Sequence, residues 1–117
     1  MTKVEVLRKN GRIISYKAVG HAEYDEYGSD IVCAALSTAL QFPLGGFQDV
    51  LDIYPRFEIS SDGLLSVDLA DMDLKGKERE VHTLLESMMV IVRQLSKDYP
   101  KNIKLLVMQN MTNMDQI

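Results

Sequence analysis

Polar and apolar positions alternate from Lys3 to Arg8, with Val4, Val6 and Arg8 opposite Lys3, Glu5 and Leu7. This period of two predicts a strand with one covered face. Asn10-Gly11 follows. Both residues tolerate the positive φ of a type I′ turn, which predicts a hairpin. A second strand runs from about Arg12 to Val19, where Ile13, Ile14, Tyr16 and Val19 alternate imperfectly, and it delivers Gly20 and His21 at its end.

From Glu23 to Gly28 the chain is acidic, contains two tyrosines and has no period, which reads as a loop. Ser29 or Asp30 can cap a helix, and Ile31 to Leu40 is apolar without a breaker. Pro43 disfavours helical geometry at Phe42, so this helix is expected to end near Gln41 or Phe42. The span from Phe47 to Pro55 reads as a loop or a one-turn helix. Strands are expected at Arg56 to Ser60 and Leu64 to Leu69, joined by Ser61-Asp62-Gly63. Val81, Leu84, Leu85, Met88, Ile91, Val92, Leu95 and Tyr99 form one stripe of a long helix from about Lys77 to Asp98. The apolar run from Ile103 to Met108 predicts a central strand covered on both faces. The order ββαββαβ predicts an α+β fold, a mainly antiparallel sheet of about five strands with two helices. Residues 1–109 are expected to make a single domain and residues 110–117 a frayed polar tail.

Composition narrows the classes of function. A chain of 117 residues supports one core. A net charge of −4 argues against direct nucleic-acid binding, which needs clustered positive charge, and suits a basic protein substrate better. The start, Met-Thr-Lys-Val-Glu-Val, does not read as a signal peptide, and no run of about 18 consecutive apolar residues predicts a membrane span. A cytoplasmic location without membrane contact is expected. The single cysteine, Cys33, rules out an internal disulfide or a multi-cysteine zinc site. No metal or cofactor is expected.

Cys33 is then either a small packed residue or a reactive thiol. Placed in about the first turn of its helix, it feels the unpaired N–H groups and the macrodipole, both of which favour thiolate. His21, twelve positions earlier at a strand end, can act as base and then acid, and backbone N–H groups at the helix start, including that of Cys33, can hold an oxyanion. Taken alone, a cysteine between Val32 and Ala34 in an apolar helix is more often core than catalyst. Asp30 either caps the helix or orients His21. Gly20 and Gly28 flank the loop as hinges or as turn residues. His82, at the start of the long helix, reads as a helix-surface residue.

The combination Gly20-His21-Ala22, Gly28, Asp30-Ile31-Val32-Cys33-Ala34-Ala35 and Ser37 closely resembles the signature of the ribosomal-processing cysteine protease Prp family. The resemblance covers nearly the whole chain. It implies that His21 and Cys33 are the catalytic pair and Asp30 the neighbouring motif acid. It further implies a protease that removes the N-terminal extension of a large-subunit ribosomal protein precursor, cutting after an aromatic residue, and a homodimer with a mobile loop at Glu23 to Ser29. Two other readings stay open here: a non-enzymatic ribosome-associated binding protein in which Cys33 only packs, and a redox-sensing thiol.

Overall fold

The computed structural model describes residues 1–20, 27–60 and 64–110, with the backbone alone at 27–30 and 110. Its elements in chain order are β1 (Thr2–Lys9), β2 (Arg12–Val19), α1 (Tyr27–Gly45), a π-helical turn (Gly46–Val50), β3 (Arg56–Ile59), β4 (Leu65–Asp68), α2 (Glu78–Asp98) and β5 (Ile103–Asn110). They form one mixed sheet with the spatial order β3-β4-β2-β1-β5, antiparallel except for the β1 and β5 pair. The expected α+β order ββαββαβ holds.

Local chemistry explains the first hairpin. Asn10 and Gly11 both adopt positive φ, 54° and 84°, which matches the right-handed twist of the flanking strands. The imperfect alternation of β2 has a structural cause. The register slips by one residue opposite Leu7 and Arg8, so Ile14 is passed over while Ile13, Tyr16 and Ala18 stay on the covered face.

All of the buried strand side chains lie on one face, where Val4, Val6, Tyr16, Ala18, Leu65 and Val67 join Val32, Leu36 and Leu40 of α1 and Val81, Leu85, Met88 and Val92 of α2 in one cluster. The Tyr16 hydroxyl, buried within it, donates to the Leu40 carbonyl at 2.7 Å and ties β2 to α1. This burial pushes the Tyr16 phenol well above its ordinary range.

Arg8 completes the covered face of β1. Its guanidinium grips Glu86 of α2 with two N–H to oxygen contacts of 2.6 and 3.0 Å and also donates to the Gly11 carbonyl at 2.9 Å. The hydrogen bond from Arg8 holds the Glu86 carboxyl below its usual range. A carboxyl lowered on folding contributes stability above its unfolded pKa, near 4.3, and loses that contribution as pH falls through the lower folded value. Urea midpoints of the native chain and Glu86→Gln are therefore expected to differ at pH 7 and to draw together as the pH is lowered through the acid range. A difference that does not shrink on acidification would contradict the pairing.

Four expectations are corrected. The first helix begins at Tyr27 rather than near Ser29, so Tyr27 and Gly28 are helical, and the rest of the expected loop lies outside the described residues. It also runs through Pro43 to Gly45. Ala39, Leu40, Leu44 and Phe47 are all buried, and that burial outweighs the local preference of a residue before proline to leave the helix. The last described strand, β5, is an edge strand rather than a central one, paired among the described residues only with β1, and its Val107 and Met108 are exposed. Asn110, expected in the tail, pairs with Lys9 in that strand. By length and composition alone, Ile31–Val50 is apolar enough to cross a membrane, but its Val32, Leu36, Ala39, Leu40 and Phe47 are core residues.

Candidate active site

The C-terminal end of β2 and the middle of α1 meet at a cavity of about 100 Å³. From α1 it is lined by Cys33, Leu36, Ser37, Leu40 and Gln41, and from the sheet by Thr2, Ala18, Gly20 and Leu65. The end of β3 and the residues on either side of its connection to β4 add Ile59, Ser60 and Leu64 to the lining. Cys33, Ser37 and Gln41 recur every four residues and so lie above one another on one helix face. That spacing is visible in the sequence. The contribution of β3 and β4 is not, because it depends on strands brought together from distant positions.

Cys33 is half-buried with no disulfide, its side chain opening into the cavity rather than sealed in the core. It is the seventh residue of α1. The expected position in the first turn is therefore corrected, and the Cys33 N–H falls within the helical ladder instead of among the four free N–H groups of the helix start. It is not available as an oxyanion donor in the way the sequence suggested. Asp30, the fourth residue of the helix, sits inside its first turn, which excludes the role of preceding cap.

Gly20 is placed for a backbone reason. Its φ is +82°, and a side chain there would meet the Met1 carbonyl oxygen at 3.0 Å. Its own carbonyl accepts a hydrogen bond of 3.2 Å from the Thr2 hydroxyl. The end of β2 is thus pinned against the start of β1, and the chain leaves the sheet at the cavity that Cys33 lines. His21, next in sequence, lies outside the described residues. Gly20→Ala is expected to destabilise the fold by about 1–2 kcal/mol, because both the positive φ and the contact with a backbone oxygen resist a Cβ. Thermal melting checks this, and an unchanged melting temperature would show that the strand end is not so constrained.

His82 is remote from this cavity. It lines a larger and more open groove of about 820 Å³ with Arg12, Arg79 and Glu86. It is half-buried rather than simply on the helix surface, its Nδ1 has no hydrogen-bond partner among the described residues, and burial pushes the imidazole pKa down. Among the described residues, no three His, Cys, Asp or Glu side chains converge to hold a metal ion.

Comparison with known proteins adds to this geometry. The family model described as cysteine protease Prp matches residues 1–104. The ribosomal processing cysteine protease Prp of Bacillus subtilis is similar to this chain, 30% identical over 104 residues that cover 79% of this chain and 83% of that protein. Among solved structures, SMU.848 from Streptococcus mutans superimposes with a TM-score of 0.85 at 27% identity, covering 94% of this chain and 96% of its own. The ribosomal processing protease Prp from Staphylococcus aureus, solved with a covalently linked product peptide, superimposes with a TM-score of 0.76 at 25% identity, covering 92% of this chain and 99% of its own.

Proposed function

This chain belongs to the cysteine protease Prp family, and from that premise we propose that it is an endopeptidase that removes the N-terminal extension of a large-subunit ribosomal protein precursor, cutting after an aromatic residue. The observation that carries the reading is the cavity where Cys33, half-buried and opening into it, shares a lining with Gly20, the residue before His21. The names of the relatives, which are ribosomal processing proteases, support the substrate class.

In this reading Cys33 is the nucleophile and His21 the base and acid. His21 takes the thiol proton, the thiolate sulfur attacks the scissile carbonyl carbon, and the bond to the leaving amine breaks as His21 returns the proton to its nitrogen. Water then attacks the thioester, releasing the acyl product and restoring the thiol. Asp30 and Gly28 support the segment that carries this pair. The protein acts in the cytoplasm as a homodimer, without direct contact with nucleic acid or membrane. The half-buried setting of Cys33 gives no support to the alternative in which the cysteine is sealed in the core.

The test is incubation with the extended ribosomal protein of the same organism, read by mass. A product lacking the extension, absent with His21→Ala, is the expected result. An intact precursor after prolonged incubation would overturn the reading.

A further inference from the structure

The hydrogen-bonding phase of the sheet determines which backbone groups of β3 face outward. The Ser60 N–H donates to the Leu64 carbonyl at 2.9 Å, and on the other side of β4 the Leu69 N–H donates to the Ile14 carbonyl at 2.8 Å. In an antiparallel ladder, residues that exchange hydrogen bonds alternate with residues that do not. With the register Arg56↔Asp68, Phe57↔Val67, Glu58↔Ser66 and Ile59↔Leu65, it follows that Arg56 and Glu58 bond to β4. Phe57 and Ile59 direct their N–H and C=O groups away from it. Among the described residues no strand pairs with that edge. It presents two donors and two acceptors about 7 Å apart, the repeat of an added strand.

The side chains agree with the backbone. Val67 and Leu65, the partners of Phe57 and Ile59, are buried, so all four point to the helix side of the sheet. Yet Phe57 is 50% and Ile59 47% exposed. Natural sheets blunt an open edge with short strands, charged side chains, proline or a bulge. Arg56–Ile59 is short and carries Arg56 and Glu58, but these alternate onto the face opposite Phe57 and Ile59, so the helix-side edge stays apolar; Pro55 stops the strand at one end, and at the other Ile59 lines the cavity that Cys33 also lines.

We propose that the substrate binds as an extended segment added to the free edge of β3, with apolar side chains at alternate positions covering Phe57 and Ile59 and its scissile bond carried over Cys33. The proposal rests on the protease reading above. Its occupant follows from continuity: an edge that runs into the nucleophile's cavity holds the chain that is to be cut. Main-chain bonds to Phe57 and Ile59 set the register, and the apolar cover selects sequence.

The test uses the full chain carrying Cys33→Ala, with a synthetic peptide spanning the junction between the extension and the mature ribosomal protein. Amide exchange followed by NMR is expected to slow at least about tenfold at Phe57 and Ile59 when the peptide is present, and to stay unchanged at Glu58, which is already bonded to Ser66. In the catalytically competent chain, Phe57→Pro removes an outward N–H and none facing β4, and is expected to lower kcat/KM about tenfold relative to Phe57→Ala. If the wild-type chain cleaves the peptide while exchange at Phe57 and Ile59 stays fast, strand addition is overturned and the protease reading stands. If the wild-type chain cleaves neither the peptide nor the whole precursor, the protease reading fails and this inference with it.

Discussion

Replacing Cys33 by alanine is expected to reduce cleavage of the extended ribosomal protein by at least about 10³-fold, because a covalent route without its nucleophile leaves only substrate positioning. The fold should tolerate the change. Cys33 is half-buried beside a cavity, so the lost sulfur leaves little new void and circular dichroism should be unaltered. Cys33→Ser sharpens the result, since a hydroxyl of similar size fills the same place but ionises far less readily than a thiol. Both variants should lose single-turnover cleavage to the same extent. Normal processing by Cys33→Ala would remove this residue from the chemistry altogether.

The second large effect concerns stability. Phe47 is 0% exposed and sits in the π-helical turn that prolongs α1. Its carbonyl accepts a hydrogen bond of 2.8 Å from the Ile53 N–H, so the same residue anchors both the helix end and the chain running on to β3. Phe47→Ala is expected to cost about 3–5 kcal/mol, the range for a fully buried phenylalanine whose cavity cannot collapse. Against the usual stability of about 5–15 kcal/mol, this would consume a large share of the margin. Urea unfolding at 25 °C checks the value. A loss below about 1 kcal/mol would mean that the turn repacks freely and that Phe47 does not anchor α1.

Much of the architecture is legible in the sequence because it is set by local chemistry. Asn10-Gly11 demands a turn with two positive φ values, and Val81, Leu85, Met88 and Val92 can bury together only on a helix, although Ile91 and Tyr99, expected on the same stripe, lie at its margin and are exposed. Where the sequence misleads, a distant contact decides. Pro43 argues for a stop, but the helix continues because Leu44 and Phe47 find cover in the core. The run from Ile103 to Met108 is as apolar as a central strand, yet the position of β5 depends on a crossover through α2 that no local window contains. The site divides in the same way. Cys33, Ser37 and Gln41 can be placed on one face by counting, and Gly20 can be noticed beside His21. That Ile59, Ser60 and Leu64 complete the cavity follows only from the pairing of β4 with β2.

The parallel pairing of β1 with β5 also bears on when the protein becomes functional. The partners Thr2 and Ile103 are about 100 residues apart in sequence. Contacts of such high sequence separation carry a loop-closure cost that slows folding, and during synthesis β1 gains its β5 neighbour only once β5 has emerged. The strand whose first residue, Thr2, holds the Gly20 carbonyl is therefore among the last to be fixed from both sides. Maturation of the cavity is thus delayed until β5 has been made, and a nascent chain arrested before β5 should carry Cys33 without a finished site around it.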